Sequence, residues 1–183
     1  LALNFCLTRH NGHEVQEMLA LGEKLDATVN IDPQITARYD GTSASLDNRI
    51  SRDKLQQLYN GPLAWATEEL DPKPRGSVQC GCARSVCGIA ANGDVYPCIG
   101  APMRSGNIRK ASFQHIWRNS PQFKWIRALS LEDFADCQPC SLRSFCQRSS
   151  GVVYANTGEY TGSDEWTCMQ AEVLRDSYEG RQT

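Results

Sequence analysis

The chain has 183 residues, a formal net charge of -2 and nine cysteines. This length allows one good hydrophobic core or two small ones, so metal sites need not replace a missing core. The near-neutral charge, without a run of like charges, gives no basic field for nucleic-acid binding, and we expect no nucleic-acid partner.

The cysteine count and the first residues disfavour two further classes of protein. A secreted disulfide scaffold is usually shorter and carries an even number of cysteines. The first seven residues have no basic flank and too few apolar side chains for a signal peptide or a membrane span. We therefore expect a cytoplasmic protein without a membrane partner, and the start at Leu1 predicts a piece of a longer protein.

The first 32 residues predict a strand, a helix and a second strand. The apolar run over residues 2–8 predicts a buried strand on which Cys6 is a core thiol. Asn11 is expected to cap a helix that Gly22 ends, and residues 27–32 form the next strand. A parallel βαβ unit of this kind cannot cover both faces of its strands, so we expect it to belong to a larger sheet or barrel.

A linker is predicted between this unit and the cysteine-rich part of the chain. Ser51 is expected to cap a helix, and residues 70–79, which are rich in Pro and Gly, mark the best boundary between two structural units. We thus predict three segments: residues 1–69, the linker 70–79, and residues 80–183.

From residue 80 onwards, the sequence predicts a hairpin followed by helices. The Asn92-Gly93 pair lies between two strand-like runs, which puts Cys87 and Cys98 on opposite arms of one hairpin. Ser112 is a predicted helix cap, and Ser120-Pro121 is predicted to start another helix. The remaining expectations are a further turn at 106–107, a loop over 137–146, a region rich in turn formers over 151–162, and a terminal helix over 169–177.

Eight of the nine cysteines fall into two sets of four. The first set is Cys80, Cys82, Cys87 and Cys98, and the second is Cys137, Cys140, Cys146 and Cys168. Thiolates bind both zinc and iron–sulfur clusters, but structural zinc favours two short pairs or histidine ligands, whereas four-thiolate clusters tolerate irregular spacing. The spacing favours two iron–sulfur clusters and leaves zinc as the alternative.

No sequence motif for hydrolysis or phosphoryl transfer accompanies these cysteines. Two clusters without an acid–base constellation indicate electron transfer that serves chemistry located elsewhere. The alternative is a zinc-stapled binding module without redox activity.

The spacing of the cysteines resembles that of a known family. Cys80-x12-Gly93-x4-Cys98, then Cys137-x2-Cys140-x5-Cys146, and finally Cys168 is similar to the SPASM domain, the C-terminal extension of radical S-adenosylmethionine enzymes that mature peptides. Residues 1–60 resemble the last strands of the partial (β/α)6 barrel that precedes it. The resemblance implies an α+β chain: the end of that barrel, followed by a small hairpin-and-helix SPASM/twitch domain with two auxiliary [4Fe–4S] clusters.

The resemblance also implies a function. It predicts the electron-transfer and substrate-docking part of an enzyme that modifies a ribosomal peptide by a thioether or carbon–carbon cross-link. The implied partners are the peptide and an electron donor such as flavodoxin or ferredoxin, and Arg38 is a candidate contact for S-adenosylmethionine. Because the C-x3-C-x2-C motif of the radical-generating cluster is absent from these 183 residues, the chain alone should not cleave S-adenosylmethionine. Ile99, where sulfatase-maturing relatives have Asp, disfavours sulfatase maturation.

One departure from the family concerns the first cluster. The third cysteine run normally ends in a further cysteine that crosses over to the first cluster, and Ser150 occupies that position. The simplest count then gives Cys80, Cys82, Cys87 and Cys98 to the first cluster, although either Cys82 or Cys87 is alternatively a free core thiol. The second cluster keeps all four family ligands.

Overall fold

A computed structural model describes residues 1–68 and 80–181. The described residues combine helices with two small sheets, one parallel and one antiparallel, which agrees with the predicted α+β class. The predicted linker at 70–79 lies outside the described residues. Within the described ranges, no helix is both long and apolar enough to span a membrane.

The N-terminal segment forms the predicted βαβ unit. Strand β1 (Ala2–Cys6) pairs in parallel with β2 (Thr28–Asp32), in a register that runs from Ala2 opposite Thr28 to Cys6 opposite Asp32. Helix α1 (Val15–Lys24) connects them. The strand–helix–strand prediction is therefore confirmed.

Two local predictions about α1 were wrong. The side chain of Asn11 caps no helix amide; its Oδ1 accepts from the Thr8 amide at 2.7 Å and its Nδ2 donates to the Cys6 carbonyl at 3.0 Å. The helix also continues past Gly22 to Lys24. Gly22 is a packing position instead, because a Cβ there would lie 2.3 Å from Val29 Cγ2 on β2.

The expectation that Cys6 is a core thiol was also wrong, because its side chain is exposed. Alternate residues of a strand point to opposite faces, and on β1 only Phe5 is buried. Cys6 lies on the other face of the sheet, which the described residues leave uncovered.

Two short helices follow β2. Helix α2 (Arg52–Tyr59) begins at Ser51, whose hydroxyl accepts from the Lys54 amide at 3.3 Å, so the predicted cap is confirmed. Helix α3 (Trp65–Glu68) comes next.

The cysteine-rich segment starts with a three-stranded antiparallel sheet. Strands β3 (Gly88–Ile89) and β4 (Asp94–Tyr96) form the predicted hairpin, and Gly93 adopts the left-handed φ of 88° in its turn. Residues 106–107 are not a turn but a third strand, β5 (Gly106–Asn107), paired with β4. The predicted helices α4 (Phe113–Asn119) and α5 (Pro121–Ala128) follow.

Two helices close the chain. Residues 151–162, expected to be rich in turns, instead include α6 (Ser150–Thr157), which ends at Gly158 with a left-handed φ of 78°. Buried Val153 and Gly151 show that tertiary packing stabilises this helix despite its turn-forming residues. Helix α7 (Glu165–Glu179) is longer than the predicted 169–177.

The buried apolar side chains form two cores. The first joins β1, α2 and α7, and includes Phe5, Leu55 and Val173. The second lies under the hairpin and helices α4 and α5, and includes Val95, Ile116 and Phe123. Cys80, Cys82, Cys87 and Cys98 pack in or against this second core.

Candidate metal centres

The first centre forms where the turn before the hairpin meets the end of β4. The Ala83 amide donates to the Val86 carbonyl at 3.0 Å and to the Pro97 carbonyl at 2.9 Å, which ties the two segments together. This arrangement places the buried Cys82 between two other thiols: it accepts a hydrogen bond from Cys80 and donates one to Cys98. The structure therefore brings together Cys80, Cys82 and Cys98.

Hydrogen-bond donors surround these three sulfurs. The Gly100 amide lies 3.3 Å from Cys98 Sγ, and the Ser150 amide donates to Cys80. Chiefly because the Cys82 thiol donates to it, Cys98 has a pKa lowered to about 7 despite its burial. The pKa of Cys80 is raised, first because its own thiol donates to Cys82 and then because it is buried.

The start of helix α6 lies against the first centre. A Cβ on Gly151 would be only 2.3 Å from Cys98 Sγ. Ser150 is fully buried, and its hydroxyl accepts from Arg148 Nη1 at 2.7 Å. The position where the family carries its crossover cysteine thus adjoins the first centre, as the resemblance implies, but its hydroxyl is engaged by an arginine.

Cys87 differs from the other three predicted ligands. It is half-buried against the second core, and burial raises its pKa. Among the described residues, no other cysteine contributes to that change, whereas Cys80, Cys82 and Cys98 all influence one another. Cys87 remains a predicted ligand, but its thiol does not join the hydrogen-bonded group formed by Cys80, Cys82 and Cys98.

The second centre is a cavity lined by all four cysteines of the second set. It has a volume of about 150 Å³, and Cys137, Cys140, Cys146 and Cys168 share its wall with mostly apolar side chains such as Leu131 and Val153. The Cys140 amide donates to the Cys137 carbonyl at 3.2 Å, forming a tight turn. Cys168 comes from the first turn of α7, where the Asp164 side chain accepts from the Thr167 amide at 3.1 Å.

The electrostatics of the second centre are those of closely spaced buried thiols. Burial raises the pKa of Cys137, raises that of Cys146 to about 11 and raises that of Cys168, and in each case neighbouring cysteines add to the effect. Arg148 acts in the opposite direction on Cys137, because its guanidinium is close to the sulfur and donates to it. A metal or cluster that binds here must displace thiol protons.

The geometry of the second centre suits a cluster. A tetrahedral zinc site needs four ligands within about 2.3 Å of one point. Among residues 1–68 and 80–181, no group of three or more His, Cys, Asp or Glu side chains is close enough to hold one metal ion. In the second centre, the four thiols instead surround a cavity, which fits the larger cluster.

A mostly buried hydroxyl faces the first centre. Tyr160 Oη donates a hydrogen bond to the Cys82 sulfur. Burial, and then Cys82 and Cys80, raise the pKa of Tyr160, so the hydroxyl stays protonated. The Cys82 sulfur therefore has a fixed hydrogen-bond donor, which favours its thiolate form.

The loop that contains Arg38 lies close to the first centre. The pKa of its neighbour Tyr39 is raised by burial and then by Cys98 and Tyr96. Arg38 itself is exposed, and its backbone closes a tight turn with Thr42. Its contact with S-adenosylmethionine remains a prediction.

Sequence reasoning missed three residues at these centres: Arg148, Gly151 and Tyr160. None belongs to the cysteine pattern. Gly151 follows the anomalous Ser150, which was the one available signal. Arg148 and Tyr160 reach the centres only through the packing of α6 and the loop that follows it.

Comparison with known proteins identifies the cysteine-rich segment. Residues 80–141 match SPASM, an iron–sulfur cluster-binding domain. The chain is 26% identical over 187 residues to the mycofactocin maturase MftC of Mycobacterium ulcerans (strain Agy99), which covers 92% of this chain and 49% of that protein.

Two further relatives are AdoMet-dependent heme synthases. The chain is 34% identical over 74 residues to that of Methanosarcina barkeri (strain Fusaro / DSM 804), and 30% identical over 78 residues to that of Nitratidesulfovibrio vulgaris. These matches cover 40% and 43% of this chain and 21% of each relative. The chain spans at most about half the length of these three relatives. Over residues 80–141, the chain is therefore similar to SPASM iron–sulfur cluster-binding domains.

Proposed function

We propose that this chain is the auxiliary-cluster part of a radical S-adenosylmethionine enzyme that modifies a ribosomal peptide through a thioether or carbon–carbon cross-link. In this role, it holds two iron–sulfur clusters, takes part in electron transfer and helps to dock the peptide. The observation that carries the proposal is the second centre, where all four cysteines of the family pattern line one cavity.

The residues of the chain have definite parts in this function. Cys137, Cys140, Cys146 and Cys168 would hold the second cluster, and Cys80, Cys82 and Cys98 would hold the first, with Cys87 as the candidate fourth ligand. A bound cluster supplies one-electron redox chemistry. The Gly100 amide and the Tyr160 hydroxyl are donors toward the sulfurs of the first centre.

The peptide would dock beside the first centre. Tyr39 and Ile99 are large exposed apolar residues, with 62% and 83% of their surface accessible. Ile99 follows Cys98 in the chain, and Tyr39 is near enough for Cys98 to raise its pKa. Exposed apolar side chains next to a redox centre provide contacts for an extended peptide.

The extent of the similarity favours a peptide substrate. The match to the maturase extends over 92% of this chain, whereas the matches to the heme synthases extend over 40% and 43%. A tetrapyrrole is therefore the second candidate substrate. It is supported by the heme synthases, whose identity to this chain is higher than that of the maturase but extends over fewer residues.

The first test is cluster content. Protein purified without oxygen and reconstituted with iron and sulfide should absorb near 400 nm and carry about eight iron and eight sulfide per chain, as two [4Fe–4S] clusters require. Replacement of Cys168 by Ala should remove about half of the iron, and replacement of Cys98 should remove the other half. A colourless protein that binds zinc and no sulfide would instead establish the zinc-stapled module.

A further inference from the structure

Arg148 contacts the second cysteine centre directly and the first through Ser150 and Tyr160. We propose that Arg148 is a positioning residue which links the two centres and raises the reduction potential of the cluster at the second one; this inference rests on the proposed function. The argument depends on where its guanidinium is held and on which groups hold it.

On one side, Arg148 faces the second centre. Its side chain lines the cavity, the guanidinium donates to Cys137, and its backbone amide donates to Cys146. The guanidinium carbon lies 4.8 Å from the ring centre of the buried Phe134, which covers it. The charge is thus fixed beside two predicted cluster ligands.

On its other side, the guanidinium is held by oxygen acceptors. Nη2 donates to the carbonyls of Tyr160 and Gly162, at 2.8 Å each, and Nε donates to the Gly162 carbonyl at 3.3 Å. Nη1 donates to the Ser150 hydroxyl at 2.7 Å. Four of the five N–H groups of an arginine are used in this way, which leaves little freedom for the guanidinium to turn away from the cavity.

Two of the three residues that hold Arg148 also contact the first centre. The Ser150 amide donates to Cys80, and the Tyr160 hydroxyl faces Cys82. A single side chain therefore connects the backbone around one centre to the sulfur of a ligand at the other. This connection includes Ser150, which occupies the position of the crossover cysteine in the family pattern.

A fixed positive charge favours the reduced state of a cluster, which carries one more electron. Hydrogen bonds to ligand sulfur and local net charge are both determinants of cluster potential. The other charged groups that face the second centre are Arg143, Asp136 and Asp164, and the last two oppose the effect of Arg148. Removal of Arg148 leaves these carboxylates less compensated, so the potential should become more negative.

The test is an EPR-monitored redox titration of the protein with both clusters bound. Arg148→Met should lower the equilibrium constant for reduction of the second cluster about tenfold. This corresponds to a reduction potential about 59 mV more negative for a one-electron couple. The Cys98→Ala variant identifies the signal of the second cluster, and iron and sulfide content confirms its occupancy. Arg148→Lys keeps the charge and should show a smaller change.

Arg127→Met is the matched control. Arg127 also bonds to carbonyls, those of Ala83 and Trp117, and stacks on Trp117 at 4.5 Å, but it does not line the second cavity. Its loss should leave the second potential unchanged.

Three results would overturn the inference. An unchanged second potential at full cluster content would remove Arg148 from any electrostatic role while leaving the proposed function intact. An equal change in Arg127→Met would show a general loosening of the fold. An unaltered protein without a cluster at the second centre would refute the proposed function, and the inference with it.

Discussion

Gly151 shows how closely the first centre is packed at the scale of single residues. It has no room for a side chain, since a Cβ would come within 2.3 Å of Cys98 Sγ. Contact that close forces the helix or the cysteine to move. The position of Cys98 therefore depends on a glycine that belongs to a different part of the chain.

Gly151→Ala should consequently remove the first cluster and spare the second. The expected result is a loss of about half of the iron, with the EPR signal of the second cluster retained. Gly158→Asn is the control, because Gly158 ends the same helix in open space and Asn tolerates its left-handed backbone. Full iron content in Gly151→Ala would contradict this packing argument.

The assignment of Cys82 and Cys87 is also a question about single residues. Cys82 is buried and contacts both Cys80 and Cys98, whereas the pKa of Cys87 is raised by burial alone. We expect Cys82→Ser to abolish the first cluster and Cys87→Ser to lower its iron content less. The iron and sulfide content per chain of the two variants measures this difference. Equal losses of iron in both variants would establish Cys82 and Cys87 as ligands.

Tyr59 provides a prediction for alkaline pH. Burial, and then Asp32, raise the pKa of Tyr59 to about 12 from an ordinary value of 10. Because the fold favours the neutral phenol, its contribution to stability is complete below pH 10 and declines as the pH rises through 12. This rise in the pKa of Tyr59 corresponds to a contribution of about 3 kcal/mol to the free energy of unfolding.

Tyr59→Phe should therefore flatten the decline in the free energy of unfolding between pH 10 and pH 12. Urea unfolding at a series of pH values measures this, with the unaltered protein as the reference. Parallel declines in both proteins would show that the Tyr59 hydroxyl is not responsible.

At the scale of elements, helix α7 connects the second centre to the rest of the molecule. It carries Cys168 in its first turn and packs along α2. Its cap residue, Asp164, is buried and accepts from the Thr167 amide and hydroxyl and from Asn156 of α6. The Asp164 carboxylate thus helps to fix the start of the helix that carries Cys168.

Asp164→Ala should lower the free energy of unfolding by about 2 kcal/mol, the upper range for loss of a helix cap. It also leaves Arg49, 4.0 Å away and mostly buried, without its charge partner. Asp164→Asn keeps a cap acceptor and should cost less. Urea unfolding measures both variants, and an unchanged Asp164→Ala would refute the role of the cap.

At the scale of the whole molecule, the last helix belongs to the first core. Val173 on α7 is fully buried with Phe5 and Leu55, and Arg52 on α2 pairs with Asp176 at 3.1 Å. The predicted division into residues 1–69 and 80–183 remains a prediction. The packing nevertheless shows that the C-terminal helix completes the N-terminal core.

Val173→Ala should destabilise both ends of the chain together. We expect a loss of about 2 kcal/mol from the cavity that it creates, with faster hydrogen exchange in β1 and α2 as well as in α7. Val86→Ala, the same change at a position 48% exposed, should have little effect. Faster exchange confined to α7 would indicate two independent units.

The sequence by itself determined the local features of this protein. The βαβ unit, the hairpin at Asn92-Gly93 and the helix starts at Ser51 and Ser112 all follow from short-range patterns of apolar residues, turn formers and caps. The cysteine spacing likewise predicted the similarity to the SPASM domain over residues 80–141, because cluster ligands are constrained in type and in order.

The tertiary structure decided what depends on contacts between distant segments. It showed that Cys82 rather than Cys87 lies among the other thiols, that Gly151 abuts Cys98, and that Arg148 joins the two centres. Sequence spacing carries no information about such contacts, since they arise only when α6 and α7 pack against the hairpin and the first core. For the same reason, Cys6 was misplaced: the face of a strand that is buried depends on its neighbours in space.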